Sequence, residues 1–255
     1  MSILPKEMTN SQYHSSEGIS SSDLKLLEIS PLHLKHKELF TYESDAFDFG
    51  SLVHKMVLEP ETLEDEFVKL PEFNLRTKAG KEEKAKFEEE NKGKIVISPS
   101  DWEKAERMAR NINAIAGNLI KKGKCEESWF VEDEHGLIRK CRPDCYIEAL
   151  GVVIDIKTTQ SVRPYDFQKS IYDYRYHWQA YWYLKTLKLA GKKASQFIFI
   201  AVEKKEPFMV RLFRISDSAI SRAEMEVENL ISGYAEFLRT GKAEVVDEID
   251  LPNWA

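Results

Sequence analysis

The sequence predicts an α/β fold in which a mixed central β-sheet is flanked by helices and preceded by an N-terminal helical region. Two observations support this fold. The chain has 255 residues, of which 42% are apolar, and a chain of that size can bury one substantial core. Its segments also follow the order αα–βββ–α–ββ–α, which is typical of a sheet with helices on its faces.

Helices dominate the first half of the chain. A helix capped by serine is predicted at about 21–27, and Pro31 begins a second short helix. Another helix is predicted at 46–58. The charged segment KAGKEEKAKFEEENK predicts either an exposed helix or a mobile loop. After it, SPSDWEKAERM begins a long capped helix with Pro99 in its first turn.

Strands dominate the second half. A helix separates the third strand from the fourth, and a final helix is predicted at 217–239. β-branched and aromatic residues in short apolar runs predict strands at 127–132, 137–147, 151–157, 196–203 and 208–215.

Composition excludes several classes of protein. The sequence contains no run of eighteen apolar residues and no signal-peptide core, which predicts a soluble cytoplasmic protein without a membrane partner. Its three cysteines are an odd count, as expected of reduced thiols. No Walker loop is present, so ATP is not expected as a cofactor, and no GxSxG elbow indicates a covalent intermediate.

One hairpin carries the strongest functional signal. If RPDCYIEALGVVIDIK turns midway between Ala149 and Leu150, Asp144 lies directly opposite Asp155. Facing Cβ atoms in such a pair lie roughly 4.5–5.5 Å apart. Two carboxylates at that distance repel each other unless a cation lies between them, and oxygen ligands are typical of Mg²⁺ sites. The hairpin therefore predicts a metal site.

A lysine shares a face of the second strand with this carboxylate. Strand alternation in VVIDIKTT places Asp155 and Lys157 on one face and β-branched residues on the other, which is expected to be buried. Charged groups in a central strand are costly unless they are paired or bind something, which favours a functional role. The alternative is an ordinary surface Asp–Lys pair of small energetic value.

Two predicted helices add polar groups. In FDFGSLVHKMVLEPE, Gly50 lies one turn before His54 and leaves space beside the imidazole. A histidine on an apolar stripe is either a hydrogen-bonded core residue or a metal ligand. Gln179 and Tyr183 are four residues apart on a helix and share one of its faces. Their amide and phenol are neutral donors suited to phosphate oxygens or bases.

These four segments, in this order, resemble the PD-(D/E)xK nuclease superfamily, and more specifically its exonuclease VIII (RecE) branch. The resemblance rests on GSLVH, RPD, DIK and QAYWY and extends over roughly residues 10–240. It implies a restriction-endonuclease-like core. We expect one nuclease domain made of an extended arm (1–18), a helical portion (19–125), a catalytic core (126–240) and an acidic tail (241–255).

The resemblance also implies roles for individual residues. Lys157 would orient or activate the attacking water and stabilise the transition state, while Gln179 and Tyr183 would lie by the scissile strand. Glu127 matches an acidic position of some relatives, although Glu126 is an equal candidate. Four residues would bind the metal, the last through its carbonyl: His54, Asp144, Asp155 and Ile156.

The net charge of −6 does not by itself favour DNA binding, because DNA-binding domains tend to be basic. The distribution of charge matters more, since several short segments are strongly basic. RTKAGK is expected either to grip DNA or to form a disordered charged loop, and RKCR directly precedes the acidic hairpin. The residues expected to contact DNA are Arg76, Lys78, Lys81, Arg139, Lys140 and Arg142.

The resemblance implies a metal-dependent 5′→3′ exonuclease on double-stranded DNA ends, using Mg²⁺ with Mn²⁺ as a substitute. Its 3′ single-stranded tails would feed a strand-annealing protein of the RecT type. We expect a homo-oligomeric ring in the cytoplasm of a bacterial or phage-infected cell. Two alternatives remain. One is a related repair or restriction-type nuclease that acts on single strands or internal sites, and the other is a catalytically silent DNA-binding module.

Overall fold

A five-stranded mixed β-sheet lies at the centre of the molecule, with helices packed on both faces, as the sequence predicts. A computed structural model describes residues 5–40 and 45–242. The acidic tail beyond residue 242 lies outside the described residues. Two smaller sheets of two strands each accompany the central one. None of the described helices has the length and apolarity needed to span a bilayer.

Helices predominate in the first half of the chain and strands in the second. The helices are α1 (Asn10–Ser15), α2 (Asp23–Ile29), α3 (Pro31–Lys35), α4 (Asp45–Leu58), α5 (Leu63–Glu66), α6 (Lys78–Glu90), α7 (Pro99–Ile120), α8 (Pro164–Asp173), α9 (Tyr176–Leu189) and α10 (Asp217–Thr240). The strands are β1 (Phe67–Lys69), β2 (Ile95–Ile97), β3 (Lys124–Cys125), β4 (Trp129–Glu132), β5 (Ile138–Cys141), β6 (Cys145–Ile147), β7 (Val152–Thr159), β8 (Gln196–Glu203) and β9 (Val210–Arg214).

The central sheet has the strand order β3-β6-β7-β8-β9. Only β7 and β8 run parallel, and the other neighbours are antiparallel. In the β6–β7 hairpin, Ile147 pairs with Val152 and Cys145 pairs with Ile154. One step further along this register, Asp144 faces Asp155, so the predicted hairpin register is confirmed.

Strand β7 separates two apolar cores because successive side chains point to opposite faces. Val153 packs with Phe197 and Phe199 in one core, against α9 and α10. Ile154 and Ile156 pack in the other core, against α4 and α7. This strand is therefore buried on both sides, and Asp155, in its middle, is almost fully buried.

The segment 137–147, predicted as one strand, forms two. β5 pairs with β4 in a separate small sheet, whereas β6 joins the central sheet. The chain crosses between the sheets at Pro143, which has no N–H to donate to a strand ladder. Asp144 follows directly and lies at the crossing point.

Several short elements were not foreseen. Among them are the parallel pair β1–β2, the strand β3 and the helices α5 and α8. Within the arm expected to be extended, α1 forms a helix whose capping box joins Thr9 and Gln12. The charged segment, for which helix and loop were both open, is the helix α6. It begins after the cap Thr77 and carries three exposed i,i+4 Lys–Glu pairs.

Candidate active site

A cavity of about 370 Å³ opens where β7 ends, beside α1, α4 and α9. We call it the catalytic cavity. Seven of the candidate residues named from the sequence line it: His54, Glu126, Arg142, Asp144, Ile156, Lys157 and Tyr183. Asp155 is only 1% exposed and lies in the adjacent strand wall. The topology therefore gathers side chains from several separate segments at one end of the central sheet.

Asp144 is held at the crossing between the two sheets. Because β6 begins after Asp144, Ile156 has no strand partner on that side, and its N–H donates a hydrogen bond of 2.6 Å to Asp144 Oδ2. The same oxygen lies 3.2 Å from His54 Nδ1. Burial raises the pKa of Asp144 well above its usual range, and the nearby charge of Asp155 raises it further.

His54 reaches the cavity from the last turns of α4. Burial lowers the pKa of His54, as does the positive charge of Lys157, so the imidazole is neutral at physiological pH. Neutral imidazole is the form that binds metals. Gly50, one turn earlier, also lines the cavity, where α4 passes close to the end of β7.

Glu126 is the acidic residue that the strand pattern did not single out. Its backbone is left-handed, with φ of 56°, which is strained for a residue other than glycine and is common at functional sites. Its ligand atom lies within 4.8 Å of those of His54 and Asp144. Burial, followed by the charge of Asp144, raises the pKa of Glu126 to about 7.

Glu127 does not share this position. Its carboxylate forms a partly exposed ion pair of 3.4 Å with Lys124, and it does not line the catalytic cavity. Of the two acids that the sequence left open, Glu126 is therefore the one that lines the catalytic cavity, and Glu127 lies outside it. The left-handed turn explains the difference, because it departs from the alternation on which the strand pattern relies.

Asp155 is held between two side chains. Its Oδ1 accepts a hydrogen bond of 2.6 Å from the Gln179 side chain, and its Oδ2 lies 2.6 Å from Lys157 Nζ. The second contact is a close and buried ion pair. Burial lowers the pKa of Lys157, but the charges of Asp155 and Asp144 outweigh this effect and raise it.

Tyr183 lies one turn beyond Gln179 on α9 and also faces the cavity. Burial raises the pKa of Tyr183 well above its usual value, and the charge of Asp155 adds to this rise. The phenol therefore keeps its proton at any physiological pH. It is a neutral hydrogen-bond donor beside the acidic cluster.

The basic segment RKCR anchors the N-terminal segment instead of facing solvent. Lys140 is 2% exposed, and its ammonium donates to the carbonyls of Tyr13, His14 and Ser16. Arg139 is fully buried and pairs with Asp133 and Glu228. We therefore leave Arg139 and Lys140 out of the proposed DNA contacts, because their donors are already used inside the protein.

Arg142 takes a third position, in the wall of the catalytic cavity. It is mostly buried, its Nε lies 2.5 Å from Glu126 Oε2, and it also donates to the Met8 carbonyl. It fixes the Glu126 carboxylate and the N-terminal segment at once. Arg76, Lys78 and Lys81 lie elsewhere: they are exposed around the start of α6 and do not line the cavity.

The donor set at the cavity fits a divalent cation. His54, Glu126 and Asp144 together offer one imidazole nitrogen and two carboxylates, a mixture suited to small divalent ions. Burial and the nearby charge of Asp155 raise the pKa of Asp144, and a cation bound beside these carboxylates would stabilise both in their charged form. An acidic centre of this kind beside a lysine, at the end of a mixed sheet, defines a protein of the PDDEXK class.

Comparison with protein families agrees with this class. The chain belongs to the family described as PDDEXK-like domain of unknown function (DUF3799), whose model matches residues 20–247. A search of curated proteins finds no match to this chain.

Comparison with solved structures identifies the same fold. A candidate exonuclease from Eubacterium rectale superposes with a TM-score of 0.65 at 18% identity, covering 97% of this chain and 96% of that one. An alkaline exonuclease from Laribacter hongkongensis is similar at a TM-score of 0.33 and 11% identity, covering 91% and 97%. At 18% identity the first similarity shows a shared fold and no more. The second, at a TM-score of 0.33, is too low to show a shared fold.

Proposed function

We propose that this protein is a metal-dependent nuclease that removes nucleotides from DNA ends. One observation carries the proposal. His54, Glu126 and Asp144 place three potential metal ligands within 4.8 Å of one another, directly beside the Asp155–Lys157 pair. A module that only binds DNA gains nothing from burying like charges in this way.

The residues divide into two groups under this proposal. His54, Glu126 and Asp144 would hold a divalent cation, assisted by Asp155 and the Ile156 carbonyl. A bound Mg²⁺ ion would neutralise phosphate charge and lower the pKa of water, two obstacles to hydrolysis of a phosphodiester. Mn²⁺ would substitute for it. Gln179 would fix Asp155, and the neutral phenol of Tyr183 would donate to the scissile strand.

Lys157 acts as a cation instead of a base. Its raised pKa keeps the ammonium protonated at neutral pH. A fixed positive charge in a partly enclosed site stabilises negative charge that develops on the phosphoryl oxygens during the reaction. Asp155 holds that ammonium in place, 2.6 Å from Oδ2.

The finer features of the proposal rest on the resemblance to the RecE branch. These are the 5′→3′ direction, the preference for duplex ends, a product with a 5′-phosphate and a 3′-hydroxyl, and a role in recombination with a RecT-type annealing protein. A ring of subunits belongs to the same proposal. The exposed group of Arg76, Lys78 and Lys81 is the proposed outer DNA contact.

Incubation of the protein with Mg²⁺ and matched linear and closed circular duplexes tests this function. We expect loss of the linear DNA only, with release of a label from the 5′ end preceding release from the 3′ end. Loss of both DNAs would indicate an endonuclease. If neither is degraded, with Mg²⁺ or with Mn²⁺, the protein is not the proposed enzyme.

Lys157→Ala separates catalysis from binding in the same assay. We expect cleavage to fall by at least about 100-fold, the scale on which a single electrostatic donor contributes, while affinity for DNA changes little. Undiminished turnover in this variant would refute the role of Lys157. Lys122→Ala, an exposed position after α7, is the matched control.

A further inference from the structure

A second cavity, of about 530 Å³, adjoins the catalytic cavity. We call it the side cavity. The two cavities share Lys157, Thr158 and Tyr176 in their walls, so a chain whose phosphate lies at Lys157 could continue from one into the other. The volume of the side cavity falls within the range of about 300–1,000 Å³ that is usual for small-ligand sites.

One wall of the side cavity is aromatic. The rings of Tyr174 and Tyr176 have centroids 5.5 Å apart and planes inclined by 28°. Tyr174 is 56% exposed, so its ring is accessible. The ammonium of Lys157 lies 4.9 Å from the Tyr176 centroid. An aromatic wall beside the catalytic lysine is suited to stacking of a nucleobase, which tolerates every base because each has a π-face.

The opposite wall is polar and not acidic overall. Lys204 lies there, fixed by its backbone N–H, which donates 2.8 Å to the Thr159 carbonyl at the end of β7. The one carboxylate of this wall, on Asp166, accepts a hydrogen bond of 2.7 Å from the Ser161 hydroxyl. A single, already bonded acid makes a second metal site a poor explanation. A lysine and hydroxyl groups suit a sugar and its phosphate.

Resting on the nuclease proposed above, we infer that the side cavity binds the nucleotide next to the scissile phosphate. Its base stacks on the exposed ring of Tyr174, which itself packs on Tyr176, and its outer phosphate lies near Lys204. The site is a positioning device. It sets which phosphate lies at Lys157 without reading the base, because stacking is largely independent of sequence.

The test compares linear duplexes with a normal nucleotide or an abasic residue on either side of the phosphate that is cleaved first. We expect the wild-type protein to cleave the normal duplex with a higher kcat/KM, by roughly 5- to 150-fold, the scale of one base–aromatic stack. Tyr174→Ala should cleave the normal duplex more slowly than the wild type does, and the abasic duplex at the wild-type rate, so that the preference disappears. Tyr174→Phe, which keeps the ring, should retain it.

Tyr165→Ala is the control variant, because Tyr165 is similarly exposed on α8 but does not line the side cavity. We expect it to keep the wild-type preference. Equal cleavage of normal and abasic duplexes by the wild-type protein would overturn the subsite and leave the nuclease intact. A full preference retained by Tyr174→Ala would likewise overturn the subsite alone. Cleavage of neither duplex would overturn the nuclease itself.

Discussion

The side-chain amide of Gln179 donates a hydrogen bond of 2.6 Å to Asp155 Oδ1. The bond joins α9 to the middle of β7 and orients a carboxylate that is almost fully buried. Without it, Asp155 would keep only its ion pair with Lys157. Gln179 therefore acts on the reaction through Asp155 and is a positioning residue.

Gln179→Ala should lower cleavage of linear DNA by at least about 10-fold. A buried carboxylate oxygen left without its donor costs about 1–3 kcal/mol, and Asp155 would then be free to turn. We expect this loss in kcat, with the KM for DNA little changed. Gln168→Ala, at an exposed position on α8, should behave as wild type. Equal kcat values for wild type and Gln179→Ala would contradict the positioning role.

Glu126→Gln should weaken binding of Mn²⁺, measured by calorimetry without DNA, by about 10-fold or more. The substitution removes one of two carboxylates from a three-residue cluster, and hard divalent ions depend on carboxylate charge. Glu127→Gln is the matched control, because its partner is Lys124 on the surface. If the control variant alone loses affinity, the choice between these two acids is wrong.

Much of the fold could be predicted because its signals are local. Strand β8 occupies the predicted residues 196–203, and the hairpin register follows from its turn. Gly151 has a left-handed φ of 64° there, and a Cβ would lie 2.8 Å from the Lys193 carbonyl oxygen. The charged helix α6 was ambiguous, because its exposed pairs contribute little and its pattern lacks a strong apolar face.

The parts of the site that sequence did not reveal depend on long-range contacts. The left-handed backbone of Glu126 is fixed by hydrogen bonds from its N–H to the carbonyls of Pro143 and Asp144, which no local pattern reports. The RKCR segment reads as a basic surface patch. Lys140 instead meets carbonyls more than 120 residues away in sequence, at Tyr13 and Ser16. Charge along the chain does not reveal whether a side chain is buried.

Lys140→Met should loosen the N-terminal segment. Three carbonyl oxygens would lose their buried donor, and we expect a stability loss of about 1–3 kcal/mol. Hydrogen exchange should show faster exchange in residues 8–16, and urea unfolding gives the free energy. Lys122→Met, an exposed lysine, should change neither. A variant with unaltered stability but weaker DNA binding would support the surface role that the sequence suggested.

Glu226→Gln should destabilise the protein at neutral pH and lose that effect in acid. Burial raises the pKa of Glu226, but hydrogen bonds from Arg222, Trp178 and His177 outweigh it and lower the pKa to about 2, from an ordinary 4.5. A carboxylate whose pKa is lower in the folded state stabilises the protein at pH values above its unfolded-state pKa. This contribution disappears as pH falls from 4.5 towards 2.

We expect a difference in unfolding free energy of about 1–2 kcal/mol at pH 7, after allowance for solvent screening. Urea titrations of wild type and Glu226→Gln across acid pH measure it. Glu224→Gln, at an exposed acid two residues before Glu226 on α10 and so turned away from these partners, is the control. A difference between wild type and Glu226→Gln that persists unchanged near pH 2 would show that the hydrogen bonds do not depend on the charge of Glu226.

The central claim is that side chains from α4, the β3–β4 connection and the β6–β7 hairpin share one divalent cation. Anomalous scattering from a crystal of the protein soaked in Mn²⁺ tests it most directly. We predict a single strong peak in the catalytic cavity, about 2.1 Å from its nearest ligand oxygens, bounded by His54, Glu126, Asp144 and Asp155, and absent in Asp144→Asn. A cavity without a peak, or a peak whose ligands exclude both His54 and Asp144, would contradict the claim.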